Sequence, residues 1–381
     1  MEQQRRRLAA TGYLAFLFSG LCAISAGVVV SILKEKYQLS FGMSGTLLSL
    51  MSVGNMAASF AAGLLPGKIG TKKTVALLCI GYFVGYLLTA FFSQVGILMG
   101  AFLLIGIAKG CAINNCTVLV GNNAADRAKG MSLMHAFYAV GAMVGPFVIT
   151  ALAMINNTMP MLGLALGGLV MWLIFMAAGL DNKPAKKADG KTTDFSFLKD
   201  LRFWLLTGLI FFQNSAETAV TGWLVTYYKD SAILSGTLST YTVTIMWGAT
   251  LAARLLIAFV FPIKNTFKAL AIMGAGCVVL YFGLVSAVTP VMAIVMLAGF
   301  AFAMAGVNPV GMAGVGKQMN ATTVGVLIPL AALGQIVMPW IIGIAADGIG
   351  LQAAMWLNLI PCVGIVVMSI WIMMLDKKKG I

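Results

Sequence analysis

Twelve long apolar segments, separated by short polar turns, constrain this chain more than any other feature of its sequence. Each segment is about 20 residues long, the length that an α-helix needs to cross the hydrocarbon core of a bilayer. Because 60% of the 381 residues are hydrophobic and only 9% are charged, a water-soluble fold would leave much of this apolar surface in water. We therefore predict an all-α membrane protein. The predicted spans are residues 12–33, 42–66, 74–93, 97–121, 131–155, 159–180, 203–228, 236–262, 267–287, 290–316, 322–346 and 350–374.

The distribution of basic residues predicts how these spans are oriented. Twenty of the 25 lysines and arginines lie in the termini and loops on one side, three lie on the opposite side, and Lys109 and Arg254 lie inside spans. Cytoplasmic loops retain Lys and Arg during membrane insertion, so we predict twelve spans with both termini in the cytoplasm. The expected location is the bacterial cytoplasmic (inner) membrane, where the basic loops would meet anionic membrane lipids.

Several classes of function are disfavoured by the composition. The net charge of +14 does not indicate nucleic-acid binding, because the cations are spread over short loops rather than gathered on one face. The six cysteines lie in apolar segments without metal-ligand spacing, so we expect neither disulfides nor a metal site. One histidine and one deep acidic residue are too few for a membrane enzyme. No sensor output domain or channel filter is apparent, and we expect no enzymatic activity and no cofactor.

A polar segment, residues 181–201, divides the chain. We predict an N-terminal six-helix bundle over residues 1–180, a cytoplasmic linker over 181–201 and a C-terminal six-helix bundle over 202–381. A faint repeat supports this division, since the same four residues, Ser-Gly-Thr-Leu, occur at 44–47 and again 191 positions later. Two pseudo-symmetric six-helix bundles are typical of secondary transporters, whose substrate site lies near the bilayer midplane.

The 43 glycines predict close contacts between helices, because small residues let backbones approach where no hydrophobic force drives helix association. Glycine and proline also permit helices to bend. Asn308-Pro309 is expected to interrupt the tenth span and to free backbone carbonyls there.

Full charges deep in the membrane are the first candidates for a functional role, because each is costly unless it is paired or hydrated. Among the eleven acidic residues, only Glu217 lies deep in a predicted span, and it is a candidate for binding solute, carrying a proton or gating. Lys109, near the middle of the fourth span, must face water, a counter-ion or an anionic solute. The alternative is a fixed ion pair between Lys109 and Glu217.

Arg254 and His135 lie nearer the cytoplasmic side. Arg254 is suited to binding a carboxylate through two parallel hydrogen bonds. It is equally suited to bonding helix carbonyls at an inner gate, and we favour this structural role. His135, one turn inside its helix, is expected to pack rather than to relay protons.

Two sets of site residues follow from this pattern. Trp223, Tyr227, Asn308 and Gln335 have the alternative role of a membrane-interface anchor or a helix contact. The expected solute-binding residues are Lys109, Asn114, Asn115, Gln213, Asn214, Glu217, Trp223, Tyr227, Asn308 and Gln335. The expected coupling or gating residues are Glu217, Lys109, Arg254 and His135.

The chain resembles the major facilitator superfamily over essentially its full length. Residues 63–73, Gly-Leu-Leu-Pro-Gly-Lys-Ile-Gly-Thr-Lys-Lys, are similar to that superfamily's signature of glycine, aspartate, a basic residue, a second glycine and further basic residues. Gly67 stands where the signature has its aspartate, so the latch attributed to that carboxylate is not expected here. Within the superfamily, residues 135–146, 217–227 and the Trp247-Gly248 pair followed by Arg254 are similar to the fucose–proton symporter group.

That resemblance implies proton-coupled uptake of sugars or related solutes through a cavity lined by spans one, four, seven and ten. The symporter group places carboxylates in its first and fourth spans, whereas this chain has none in 12–33 and carries Lys109 in the fourth. Either Glu217 has taken over coupling, or coupling is absent, or the solute is itself the anion.

We therefore expect a monomeric transporter that moves a small polar solute, a sugar or sugar-like molecule, by alternating access with a proton. The alternative is a transporter or exchanger of small organic anions such as carboxylates, which would use Lys109 and Arg254. A drug exporter, suggested by residues 141–146, is disfavoured because deep acids are too few to bind cationic drugs.

Overall fold

The computed structural model describes residues 2–125, 127–180, 196–260, 263, 265–314 and 321–379, nearly all of them helical. Residues 181–195 of the predicted linker lie outside this part of the chain. The helices before it are α1 (Glu2–Tyr37), α2 (Phe41–Leu64), α3 (Pro66–Ile69), α4 (Thr71–Cys79), α5 (Gly81–Phe91), α6 (Val95–Asn123), α7 (Arg127–Ala153) and α8 (Met159–Ala177). Those after it are α9 (Leu201–Asp230), α10 (Gly236–Phe259), α11 (Thr266–Val285), α12 (Pro290–Met304), α13 (Val307–Ala313), α14 (Ala321–Ile349), α15 (Leu351–Ala354) and α16 (Leu359–Lys379).

Helical residues lie over all twelve predicted spans, so the prediction of an all-α, multi-pass membrane protein is confirmed. Within the described residues, eleven helical stretches are long and apolar enough to cross a membrane. The predicted seventh span, α9, is not among them, and Gln213, Asn214 and Glu217 make its middle more polar. The count of twelve spans and the cytoplasmic side of both termini remain predictions.

The chain forms two compact units. The first comprises Met1–Leu39 with Thr46–Gly190, and the second comprises Ser40–Gly45 with Lys191–Ile381. The first turn of α2 therefore packs with the second half of the sequence, whereas the rest of α2 packs with the first half. This division within one helix is a tertiary feature that the sequence does not indicate.

In the first unit, glycines set the distance between neighbouring helices. A methyl group on Gly141 of α7 would collide with the carbonyl of Leu17 on α1, and one on Gly106 of α6 would collide with the carbonyl of Met51 on α2. The helix backbones are in direct contact at these points, as expected where dispersion rather than hydrophobic force holds helices together. The predicted role of glycine in close packing is confirmed at both positions.

In the second unit, α9 packs against α10, α14 and α16, and α11 packs against α12 and α16. The first turn of α2 joins this unit through Asp347 near the end of α14. The Asp347 carboxylate accepts hydrogen bonds from the backbone N–H of Phe41 at 2.7 Å and of Gly42 at 2.9 Å. A carboxylate at the amino end of a helix satisfies unpaired N–H groups and interacts favourably with the helix dipole.

At the amino end of α9, Arg202 links four elements of the second unit. Its Nε donates to Asp376 Oδ1 of α16 at 2.9 Å, and its Nη2 donates to the carbonyl of Gly314, which caps α13, at 3.1 Å. The guanidinium carbon also lies 5.5 Å from the centre of the Phe267 ring on α11. The side chains of Arg202 and Asp376 are only 13% and 14% exposed, so this ion pair is held largely away from water.

Replacing Asp376 with alanine should lower thermal stability, because it leaves the guanidinium of Arg202 largely buried without its anionic partner. We expect a loss of roughly 1.5–3 kcal/mol, the range for a hydrogen bond to a charged group. The measurement is the unfolding temperature of the purified protein in detergent. Glu2→Ala is the matched control, because the Glu2–Arg6 pair is 79–80% exposed and exposed pairs add little. Equal unfolding temperatures for the two variants would contradict this account.

Candidate functional site

Three of the predicted site residues form one hydrogen-bonded chain in the second unit. Gln213 Nε2 donates to Glu217 Oε2 one turn later on α9, and Asn308 Nδ2 of α13 donates to Gln213 Oε1 at 2.9 Å. Gln213 is fully buried, whereas Glu217 and Asn308 are half-buried. The spacing of Gln213 and Glu217 places both side chains on one face of the helix. The tertiary structure adds Asn308 from 95 positions away.

The third member of the chain stands next to a helix break. Helix α12 ends at Met304 and α13 begins at Val307, which confirms the predicted interruption of the tenth span. Pro309 has no N–H, so the carbonyl four residues earlier, that of Ala305, loses its helical donor. Arg254 Nε of α10 donates to this carbonyl at 3.4 Å. Arg254 therefore makes the helix-carbonyl contact that its structural role requires.

Three other predicted solute-binding residues use their polar atoms in contacts between helices. Trp223 is fully buried and its Nε1 donates to the carbonyl of Pro339 at 3.1 Å. The hydroxyl of Tyr227 donates to the carbonyl of Val285 at 3.3 Å. The third is Asn214, whose Nδ2 donates to the carbonyl of Ala331 at 3.0 Å. Gln335, also predicted to bind solute, is half-buried on α14. A solute-binding role for these residues remains a prediction.

The first unit holds the other predicted polar residues of the site. Lys109 is half-buried on α6. Asn114 Nδ2 donates to the carbonyl of Ser59 on α2 at 3.4 Å, whereas Asn115 Nδ2 donates within its own helix to the carbonyl of Cys111 at 2.9 Å. The predicted pair between Lys109 and Glu217 would join residues of different units, and it remains a prediction.

His135 is exposed on α7. The predicted topology places this part of the helix near the cytoplasm. The His135 ring makes an edge contact with Phe16 of α1, with 5.6 Å between the ring centres. This contact is the packing role that the sequence favours for His135. Among the described residues, no group of three or more His, Cys, Asp or Glu side chains could hold a metal ion.

Sequence reasoning missed three residues that organise the second unit: Arg202, Asp376 and Asp347. All three lie at the end of a predicted span or just outside it. Their partners lie 174 positions away for Arg202 and about 305 for Asp347. No local pattern signals such a pairing, because a charged residue near a span end is common whether or not it is paired.

Comparison with known proteins identifies the family of this chain. The sequence model of the Major Facilitator Superfamily matches residues 12–331, well over half of the chain. The chain belongs to the Major Facilitator Superfamily. This facilitator is 26% identical over 174 residues to the glucose transporter GlcP of Staphylococcus epidermidis, a match over 43% of this chain and 39% of that protein. It is 28% identical over 138 residues to a gallate transporter of Pseudomonas putida, over 36% of this chain and 31% of that protein.

Solved structures agree with the family at the level of the fold. A mutant of the nucleoside transporter NupG matches with a TM-score of 0.80 at 15% identity, over 97% of this facilitator and 99% of that chain. A bacterial homologue of the human lysosomal transporter Spinster matches with a TM-score of 0.70 at 13% identity, over 97% and 96%. At such low identity these matches establish the fold alone, and the facilitator spans less than half the length of both curated relatives in sequence.

Proposed function

We propose that this facilitator is a monomeric secondary active transporter in the bacterial inner membrane, where it moves a small polar solute by alternating access together with a proton. The solute is a sugar or sugar-like molecule. The observation that carries the proposal is the hydrogen-bonded chain of Asn308, Gln213 and Glu217 in a largely apolar unit. An ionisable residue inside a membrane span, such as Glu217, marks a candidate functional site.

The chemistry of these three hydrogen-bonded side chains suits a neutral, hydroxylated solute. Amide side chains both donate and accept hydrogen bonds, and a carboxylate accepts from hydroxyl groups. Sugar sites use the same combination, because each hydroxyl is both a donor and an acceptor. The similarity to the glucose transporter GlcP supports this class of solute, which is also the class that the predicted resemblance to the fucose–proton symporter group implies.

Proton coupling is assigned to Glu217. It is the one acidic residue deep in a predicted span, so it is the residue placed to bind and release a proton there. The first span of this chain has no carboxylate, unlike the symporter group, and the role falls to Glu217 by this proposal. Its half-buried position allows contact with both a proton source and Gln213.

A small organic anion is the second candidate solute. Lys109 in the fourth predicted span and the similarity to a gallate transporter favour it, because gallate carries a carboxylate that a buried lysine attracts. Arg254 is a weaker partner for such an anion, because its Nε already donates to the carbonyl of Ala305.

Uptake by purified protein in proteoliposomes distinguishes the two solutes. Radiolabelled glucose and gallate are supplied with an imposed pH gradient, with an imposed membrane potential, or with neither. We expect glucose accumulation that requires the inward proton gradient and that a protonophore abolishes. Gallate uptake without glucose uptake would favour the anion, and glucose uptake that ignores the pH gradient would contradict proton coupling.

A thermal-shift screen broadens the choice of solute before transport is measured. Sugars, sugar acids, carboxylates and amino acids are added to the purified protein, because a ligand raises the unfolding temperature of the form that it binds. A ligand at 100 times its dissociation constant stabilises by about 2.7 kcal/mol. Stabilisation by carboxylates alone would overturn the assignment to sugars.

A further inference from the structure

We propose that Gln213 is a coupling relay that transmits the protonation state of Glu217 to the short helix α13 by reversing the direction of two hydrogen bonds. This inference rests on the proposed proton coupling and adds the route by which the proton acts on the protein. The relay residues are Glu217 and Gln213 on α9 and Asn308 on α13.

In the structure, both hydrogen bonds of the relay run towards Glu217. A carboxylate only accepts hydrogen bonds, and Gln213 offers it Nε2. The same side chain then has Oε1 facing Asn308, which donates through Nδ2 at 2.9 Å. All the donors along the chain therefore point from α13 towards Glu217.

Protonation of Glu217 adds a donor to this arrangement. When a proton from water forms an O–H bond at Glu217, the residue becomes a donor, and the group that faces it is the amide of Gln213. The carboxylic acid is also a weaker acceptor than the carboxylate, so the bond from Nε2 loses its charge assistance. Rotation of the amide presents Oε1 to the new O–H group and Nε2 to Asn308. The proton itself stays on Glu217.

The burial of Gln213 makes its hydrogen bonds to Glu217 and to Asn308 depend on each other. Gln213 is 0% exposed, so water does not replace a partner that it loses. Leaving a buried amide atom without a partner costs about 1–3 kcal/mol. Once the Gln213 amide has rotated, the amide of Asn308 must rotate as well or lose its contact. A change at Glu217 therefore reaches Asn308 at the first turn of α13.

Helix α13 is suited to respond because it is short and separate from α12. Three contacts hold its ends: Asn308 to Gln213, Arg254 to the Ala305 carbonyl that precedes it, and Arg202 to the Gly314 carbonyl that caps it. The two arginines donate to backbone carbonyls, and neither contact depends on the protonation of Glu217. The Asn308 contact is thus the one that a proton on Glu217 alters.

The elements packed against α9 carry other ionisable groups, and three of these have partners of their own. Described residues of α13 and α15 include no ionisable side chain. On the other packed elements, Asp347 accepts from backbone N–H groups, Asp376 pairs with Arg202, and Arg254 donates to Ala305. The remaining ionisable groups on these elements are Tyr241 on α10, Lys199 in the turn before α9, and Cys362, Lys377, Lys378 and Lys379 on α16.

A spin label on α13 tests the relay without a transported solute. Met312 of α13 is half-buried, and Met312→Cys carries a nitroxide whose mobility is read by electron paramagnetic resonance from roughly pH 4 to roughly pH 9. The six native cysteines are buried, and unsubstituted protein taken through the labelling measures their background. The label is followed in otherwise wild-type protein and with Glu217→Gln, Gln213→Met or Thr207→Val added.

We expect the wild-type spectrum to change with pH and both relay variants to lose that change. Gln213→Met is the critical variant, because it keeps Glu217 and a similar side-chain volume but removes both hydrogen bonds. Thr207→Val removes another buried hydrogen bond on α9, from the Thr207 hydroxyl to the carbonyl of Phe203, and should keep the response. A full pH response in Gln213→Met, or none in the wild type, would overturn the relay.

Failure of the relay and failure of the proposed function give different results. If glucose uptake is proton-coupled but Gln213→Met keeps the spectral response, the relay is wrong and the function stands. If the wild type shows the response and Gln213→Met loses it, while no proton-coupled uptake is found, the relay stands and the proposed coupling to solute is wrong.

Discussion

Glu217→Gln should reduce proton-driven solute accumulation by roughly tenfold or more, a change of about 1.4 kcal/mol or greater in the coupling free energy. Glutamine has the size and the hydrogen-bonding reach of glutamate but does not ionise. It therefore removes the proposed proton-binding group and keeps a side chain that can contact Gln213. The measurement is glucose accumulation in proteoliposomes under an inward proton gradient.

Glu35→Gln is the matched control for this experiment. Glu35 is an exposed carboxylate near the end of α1, so its neutralisation makes the same chemical change away from the site and should leave accumulation unchanged. Equal losses in both variants would show that net charge, rather than the position of Glu217, is responsible. Normal accumulation by Glu217→Gln would remove Glu217 from the mechanism.

Lys109→Ala tests the other half of the charge hypothesis. If Lys109 binds solute or pairs with Glu217, this variant should also cut uptake sharply, because the anionic solute or Glu217 would lose its cationic partner. The double variant separates these roles, since residues that interact show non-additive effects. Normal uptake by both single variants would contradict the proposed use of the deep charges.

Gly106→Ala should destabilise the first unit, although it adds only a methyl group. The added carbon would overlap the carbonyl of Met51, a backbone atom that does not move without displacing α2. Overpacking of this kind costs about 1–3 kcal/mol. We expect a lower unfolding temperature and a lower yield of folded protein, measured in detergent by thermal unfolding and by size-exclusion chromatography.

Gly100→Ala on the same helix should not lower stability. Gly100 is exposed and has no heavy atom within 4 Å of the position that a Cβ would take. Alanine is more favourable than glycine within a helix by about 0.5–1 kcal/mol, so this variant should be as stable as the wild type or more stable. If both substitutions raised stability, the close contact between α2 and α6 would be wrong.

The two copies of Ser-Gly-Thr-Leu show that an identical local sequence does not decide the contacts its residues make. Ser235 caps α10 by accepting from the backbone N–H of Leu238, and Gly236 has open space beside it. Ser44, in the matching tetrad, lies one turn inside α2, and a Cβ on Gly45 would come within 2.7 Å of the carbonyl of Pro339. The repeat marks the start of two helices, but their neighbours assign the same residues different tasks.

The candidate site was predictable in part. Glu217 and Asn308 stand out in the sequence because a full charge deep in a span and a proline within one are costly in a bilayer. Gln213 connects them only because α13 packs against α9. In the same way, Arg254 reaches the carbonyl freed by Pro309 only because α10 lies nearby.

The sequence by itself determined the helices, because a backbone surrounded by lipid has to satisfy its hydrogen bonds within each segment, and length and apolar content express that local requirement. Only the tertiary structure decided which side chains meet. Arg202 with Asp376 and Gln213 with Asn308 join residues far apart in the chain. Their pairing depends on the rotation and depth of whole helices in the second unit. Close packing sets these, as where Gly334 of α14 lies against the carbonyl of Phe211 on α9, rather than the residues that pair.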